Sequence, residues 1–424
     1  VTTTAGKLNL KDHGAKALRE ILAERGLPPF RGSQIFRWVW RRNAKSVADM
    51  TDLPKELRES LAPGTEIPEL GLSQKHVARD GTTKLLARLD DGREVETVII
   101  PDDRRSSETT SGDSGPGVPR PGPARRVQQE TAPDPDFDGD TAENEDAPEP
   151  GAPRRFGRRT LCISTQVGCA MGCTFCRTAT MGLVRHLRPW EIAEQVLLAE
   201  RVLKERGEGR IVHTGRGQAG EVERRLDNLV FMGMGEPLHN FEGTVEAIKI
   251  LTDQTGLAFP ARRITVSTVG LAEKIVPFLE AVPGARLAIS LNASNDAARS
   301  AIMPINKKHS IGDLMAVVRA LPLKKRERVT FEYVLLAGVT DEPAHARELA
   351  AHLRGLHDKV KLNLIPWNAH EGAPFSRPEP ARVEAFRAIL KGQGIQALLR
   401  RPRGDDVLAA CGQLATDSRV ELGR

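Results

Sequence analysis

From residue 159 onward, strand-like runs alternate with helical ones, and this alternation constrains the fold more than any other feature of the chain. The runs "TLCISTQ", "LDNLVFMG", "RRITVST", "ARLAISL", "RVTFEYVLL", "VKLNLI" and "IQALLRR" are separated by stretches such as "PWEIAEQVLLAERVLKER" and "DEPAHARELAAHLRGLH". Such alternation builds βα units around a parallel sheet. Six or so units are too few for a closed eightfold barrel, so the expectation is an α/β fold with an open, partial (β/α)6 barrel. In folds of this kind the chemistry sits at the C-terminal ends of the strands.

Polar residues fall at those ends. Cys169, Cys173 and Cys176 follow "TLCISTQ", and "GMGE" (233 to 236) follows "LDNLVF". Ser267 ends "RRITVS", Ser290 and Asn292 end "ARLAISLN", and Asn368 follows "LNLIPW". The segment "CAMGCTFC" holds three of the chain's five cysteines in a C-x3-C-x2-C spacing with no fourth ligand nearby. A structural zinc takes four protein ligands and leaves no open position. A 4Fe-4S cluster held by three thiolates keeps one iron free for something else, which is a catalytic arrangement. Spacing alone leaves a truncated zinc knuckle or a set of buried thiols open.

The rest of the chain divides by composition. Residues 1–60 read as a helical accessory module carrying "GAKALREILAERGL" and "RGSQIFRWVWRRN", broken by Gly and Pro. Within 61–103, "TTKLLARL", "DDG" and "REVETVII" read as a β-hairpin linker. Residues 104–158 are rich in Pro, Gly, Ser and Asp, with almost nothing to build a core, and read as a disordered insertion. The barrel is expected over 159–403, with a second polar insertion at 206–225 that reads as a loop or short hairpin. A C-terminal segment, 404–424, contains Cys411.

Net charge points to an anionic partner. Nine acidic residues and no basic one lie between Glu130 and Glu149, so setting those nine aside raises the formal charge from +6 to +15. In "RGSQIFRWVWRRN", Arg31, Arg37, Arg41 and Arg42 with Trp38 and Trp40 offer RNA stacking and phosphate contacts, although tryptophans at helical spacing also read as core. Lys324, Lys325 and Arg326 read as an RNA contact or as a solvated charge run. No stretch reaches the length of a membrane span, and "VTTTAGKLNL" has no signal-peptide pattern. The expectation is a cytoplasmic monomer with reduced cysteines.

The cysteine loop, with Phe175 before its last cysteine, resembles the radical S-adenosylmethionine (SAM) superfamily. The ordered stretches "VETVIIP", "TLCISTQVGCAMGCTFCRTATMG", "VFMGMGEPLHN", "RRITVSTVGL", "LAISLNA", "MPINKKH", "LIPWN" and "DDVLAACGQL" resemble, more narrowly, its RlmN/Cfr family of RNA methyltransferases. They cover nearly all of the chain outside the two insertions.

The resemblance implies a 4Fe-4S cluster on Cys169, Cys173 and Cys176. It also implies SAM held by Gly235, Glu236, Ser267, Ser290, Leu291, Asn292 and Asn368. The implied reaction methylates carbon 2 of an adenosine in 23S rRNA and of one next to the anticodon in tRNA, using two SAM molecules. Cys411 would carry the methyl group, a protein–RNA adduct would form, and Glu96 would take the carbon 2 proton. A transient disulfide between Cys411 and Cys162 would then release the base. A flavodoxin- or ferredoxin-type electron donor is implied as partner. Read without the resemblance, Cys162 is a small core residue, Cys411 a small side chain near a loop, and Glu96 a solvated strand glutamate. Two other activities fit the same spacing: methylation at adenine carbon 8, and passive RNA binding by an iron–sulfur protein.

Overall fold

The computed structural model describes residues 6–102, 157–208, 210–213, 221–324 and 327–417. Its centre is a ten-stranded sheet whose spatial order follows the order of the chain. The strands are β1 (Gly71–Val77), β2 (Thr83–Arg88), β3 (Glu94–Asp102), β4 (Arg158–Cys162), β5 (Asn228–Phe231), β6 (Ile264–Thr268), β7 (Arg286–Ser290), β8 (Val329–Leu335), β9 (Val360–Pro366) and β10 (Ala397–Leu399). From β4 to β10 every neighbouring pair is parallel. Every crossover between them carries helix: α4 (Pro189–Glu205), α5 (Phe241–Thr252), α6 (Ala272–Ala281), α7 (Asp296–Ile302) with α8 (Ile311–Ala320), α9 (Pro343–Leu353) and α10 (Pro380–Gly392). Six βα units and a closing strand make the expected partial barrel, with β1 and β10 at its two edges.

The hairpin read as a linker belongs to the sheet itself. β2 and β3 pair antiparallel through the "DDG" turn, β1 adds a third antiparallel strand, and β3 neighbours β4. Glu96 stands opposite Leu86 in the β2–β3 register, and the place of β3 beside β4 sets it next to the strand that leads into the cysteine loop.

The N-terminal module contains α1 (Ala15–Glu24), α2 (Pro29–Trp40) and α3 (Lys55–Leu61). Trp38 and Trp40 are buried in its core, with Arg42 lying over the Trp38 ring at 4.3 Å, so the tryptophans are packing residues here. The module is locked to α4 by Lys11 and Glu194, a fully buried ion pair at 2.7 Å, with Arg201 on the other Glu194 oxygen at 2.8 Å. Burial lowers the Lys11 pKa against the pull of Glu194.

The polar insertion at 206–225 contains an antiparallel pair, Arg210–His213 with Glu221–Arg224. Val1–Pro101 and Arg158–Arg424 make one compact unit. The expected disordered insertion lies almost wholly outside the described residues, as do Lys325 and Arg326. No helix among the described residues is long and apolar enough to cross a membrane.

Candidate active site

The strand ends enclose a cleft of about 960 Å³, its open mouth included. Cys169, Cys173 and Cys176 line it from one side. Their loop is fixed by backbone bonds: Cys169 N donates to the Gly182 carbonyl at 2.8 Å and Thr174 N to Ile302 at 3.0 Å. The loop after β9 clamps it from across the cleft, with Trp367 Nε1 and His370 Nε2 both 3.1 Å from the Phe175 carbonyl.

Burial pushes the Cys169 thiol up to about 12, and raises Cys173 and Cys176 as well. Thiolates so close together in an apolar wall need a cationic partner. No three His, Cys, Asp or Glu side chains among the described residues close around a single ion. A 4Fe-4S cluster seats each thiolate on a separate iron, so this set fits a three-thiolate cluster better than a mononuclear site.

Opposite the cysteines runs "GMGE". The close fit of this loop to the extension of β4 explains its glycines. A Cβ on Gly233 would lie 2.7 Å from the Ile163 carbonyl oxygen, and Gly235, at φ +102°, has room for none beside Gln166. Glu236 is buried, and both its carboxylate oxygens accept backbone N–H groups, from Leu238 at 3.0 Å and Val269 at 2.8 Å. It ties the ends of β5 and β6 together, and burial lifts its pKa to about 7.

Gly235, Glu236, Ser267, Ser290, Asn292 and Asn368 all line the cleft, whereas Leu291 is buried in the core. Asn292, at φ +59°, accepts from Val334 N through Oδ1 at 3.0 Å. Asn368 donates to the Cys411 carbonyl at 3.2 Å, and its Oδ1 is buried without a partner.

Cys411 is exposed and lines the cleft. Its segment is stitched to the turn after the cysteine loop: Arg177 N reaches the Gly412 carbonyl at 2.7 Å and Thr178 Oγ1 reaches Leu414 at 2.6 Å. Cys162 does not line the cleft. It is 6% exposed at the end of β4, its carbonyl accepting from Thr97 Oγ1 at 2.6 Å, and burial followed by charge on Cys411 pushes its thiol up to about 12. All five cysteines are free thiols, so the Cys162–Cys411 bond is not formed in this structure.

Glu96 also lies behind the cleft wall. It is 5% exposed, paired with Lys84 at 2.9 Å, and accepts from Ala415 N at 3.0 Å, four residues past Cys411. Burial outweighs Lys84 and raises its pKa, which suits a proton acceptor better than a solvated strand glutamate would.

A difference in alkylation follows from these environments. In cluster-free native protein at pH 8, iodoacetamide should label Cys411 and spare Cys162. A thiol titrating near 12 carries roughly a thousandfold less thiolate than an ordinary one. Peptide mass spectrometry checks this, and equal labelling of both would contradict the burial of Cys162.

Sequence reasoning missed two charged cleft residues, Glu332 on β8 and Arg400 just after β10. Arg400 Nη1 lies 3.5 Å from Glu332 Oε1, and Asn363 Nδ2 holds the same oxygen at 3.0 Å. Charge on Cys411 raises the Arg400 pKa against burial, with Glu332 and Cys162 adding to it. A lone carboxylate within the apolar run "VTFEYVLL" was the available signal for Glu332; Arg400 carried none.

Residues 163–350 match the family model of the radical SAM superfamily, and residues 8–67 match that of the ribosomal RNA large subunit methyltransferase N-terminal domain. The chain is 44% identical to the dual-specificity RNA methyltransferase RlmN of Sorangium cellulosum over 93% of its own length and 92% of that protein's. It is 40% identical to the protein of the same name from Anaeromyxobacter dehalogenans, over 96% and 92% of the two chains. The crystal structure of a radical SAM methyltransferase from Sphaerobacter thermophilus superposes with a TM-score of 0.73 at 38% identity, covering 96% of this chain and 99% of that one. The chain therefore belongs to the RlmN family of radical SAM RNA methyltransferases.

Proposed function

We propose that the enzyme methylates carbon 2 of a specific adenosine in the peptidyl-transferase region of 23S rRNA, and of the adenosine next to the anticodon in some tRNAs. The observation that carries this reading is the placement of the two lone cysteines: Cys411 open in the cleft, and Cys162 buried at the end of β4, the strand that leads into the cysteine loop. With a 4Fe-4S cluster on Cys169, Cys173 and Cys176 and SAM beside it, the cleft gains an adenosyl radical able to take a hydrogen atom from a methyl group. Gly235, Ser267, Ser290, Asn292 and Asn368 border the volume in which SAM would sit, and Glu236 and Leu291 keep the strand ends that form it in place.

Carbon 2 of adenine is an electron-poor amidine carbon and does not attack a methyl cation as an amine would. Once the Cys411 thiol has taken a methyl group from one SAM and that methyl has lost a hydrogen atom, the methylene radical on the Cys411 sulfur adds to carbon 2 instead, joining protein and RNA. Glu96 then takes the carbon 2 proton. Cys162 sulfur attacks Cys411 sulfur, so that an S–S bond forms as the C–S bond breaks, and the released carbon takes up a proton to become the methyl group. The remaining electron leaves through an electron-transfer partner of flavodoxin or ferredoxin type, and the disulfide is reduced before the next turnover. The target adenosine has to leave its stack to reach the cleft.

The test is nucleoside mass spectrometry after anaerobic reaction with reductant, SAM and a 23S rRNA transcript. 2-Methyladenosine is the expected product. 8-Methyladenosine would move the chain to the other regiochemistry, and 5'-deoxyadenosine without a methylated nucleoside would remove RNA as the substrate.

A further inference from the structure

The cleft that Cys411 lines also holds a donor and an acceptor without full employment. Arg400 keeps a third of its side chain open. Only its Nη1 has partners among the described residues, Glu332 at 3.5 Å and Met232 Sδ at 3.6 Å, leaving Nε and Nη2 without any. Glu332 is 4% exposed, its Oε1 is held by Asn363, and its Oε2 has no partner. A buried carboxylate oxygen without a donor costs desolvation energy that a bound ligand would return. Neither residue is needed to hold the sheet, because their backbones already carry the strand pairing: Glu332 faces Asn363 in register and Arg400 N donates to the Leu364 carbonyl at 2.9 Å.

Arg400, Glu332 and Cys411 line the same cleft, with Arg400 Nη1 3.5 Å from Glu332 Oε1. The Watson–Crick edge of adenine sets an N1 acceptor and a 6-amino donor beside carbon 2, the complement of such a donor–acceptor pair. We infer that Arg400 and Glu332 read this edge of the target adenine, Arg400 donating to N1 and Glu332 accepting from the 6-amino group, so that carbon 2 is delivered to Cys411.

This rests on the reading of carbon 2 as the site of methylation. It has two chemical consequences. A hydrogen bond to N1 draws electron density from the adjacent carbon 2 and favours addition of an electron-rich methylene radical. Guanine presents an oxygen to Glu332, an N–H to Arg400 and an amino group on carbon 2, so the same pair rejects it. The adenine of SAM carries the same edge, so SAM affinity is measured beside turnover.

The test uses reconstituted enzyme and 23S rRNA transcripts whose single target adenosine is replaced by purine riboside, which lacks the 6-amino group, or by 1-deazaadenosine, which lacks N1. With wild-type enzyme each analogue should lower kcat/KM by about 10- to 100-fold, the range for one lost hydrogen bond to a charged group. Glu332→Gln should lose a similar factor on adenosine and little more on purine riboside. Arg400→Ala should behave likewise with 1-deazaadenosine, and Arg400→Lys should recover part of the loss.

Losses that multiply, variant times analogue, would overturn the inference. So would a fall in SAM affinity that matches the loss in kcat/KM, since that would assign the pair to the SAM adenine. The mass of Cys411 after SAM treatment separates the two claims: wild-type enzyme that gains no methyl group there refutes the carbon 2 mechanism itself, while a methylated Cys411 with multiplying losses refutes only the base reading. The analogue experiments on wild-type enzyme decide the matter even if a variant fails to fold.

Discussion

Cys162→Ala is expected to accumulate a covalent protein–RNA species, visible on denaturing gels with radiolabelled RNA, which neither Cys411→Ala nor the double variant forms. The asymmetry follows from where the two thiols lie. Cys411 is exposed in the cleft and can both receive a methyl group and meet a base. Cys162 is buried and meets no substrate, and a release step needs it only to reach one sulfur. Without Cys162 the C–S bond to RNA has no thiol to displace it, so turnover should stop at about one RNA per chain. The substitution removes one small group from the end of β4, at a cost of about 1 kcal/mol, so the variant should fold and retain its cluster. Sustained turnover by Cys162→Ala would refute its role. Adduct formation by Cys411→Ala would move the methyl carrier elsewhere.

The fold was readable because seven apolar runs at regular intervals allow little besides a parallel sheet with helical crossovers. The cysteine loop was readable because its three cysteines are neighbours in sequence. Contacts that join distant parts of the chain were not. "VETV" gives no sign that Glu96 abuts Ala415, because that contact, 319 residues apart, depends on β3 flanking β4. The hairpin read as a linker shows the same limit: local pattern gives two strands and a turn, while the sheet they join is set by the unpaired edge of β4. Glu236 illustrates a third case. The family resemblance placed it among the residues that hold SAM, but only coordinates reveal that both carboxylate oxygens already hold backbone N–H groups at the ends of β5 and β6. Arg400 follows β10 in a run of arginines, and composition cannot tell which of them turns inward.

Arg299 lies among the residues that sequence could not single out, and replacing it with Met should lower the stability of cluster-free protein by about 3–5 kcal/mol, the range for a buried charged network broken on one side. The side chain is fully buried on α7. Its fork donates to the carbonyls of Leu291 at 2.9 Å, His309 at 3.0 Å, Val269 at 2.6 Å and Ser290 at 3.3 Å, and to Asn306 Oδ1 at 2.8 Å. One guanidinium therefore fixes the loops that leave β6 and β7, and Met fills the volume while leaving those acceptors bare. Burial lowers the Arg299 pKa to about 10. For this base the stabilising effect of the shift appears only as pH rises above about 10; from pH 5 to 9 the group is charged in both folded and unfolded chains and adds no pH dependence. The loss should accordingly be the same at pH 6 and pH 8, and for a chain of this size it corresponds to roughly 5 °C in Tm. Arg299→Lys retains the charge but cannot reproduce the planar fork, so it should recover only part of the loss. Differential scanning fluorimetry at the two pH values tests this, and an Arg299→Met melt within 1 °C of wild type would show that the strand-end loops hold themselves.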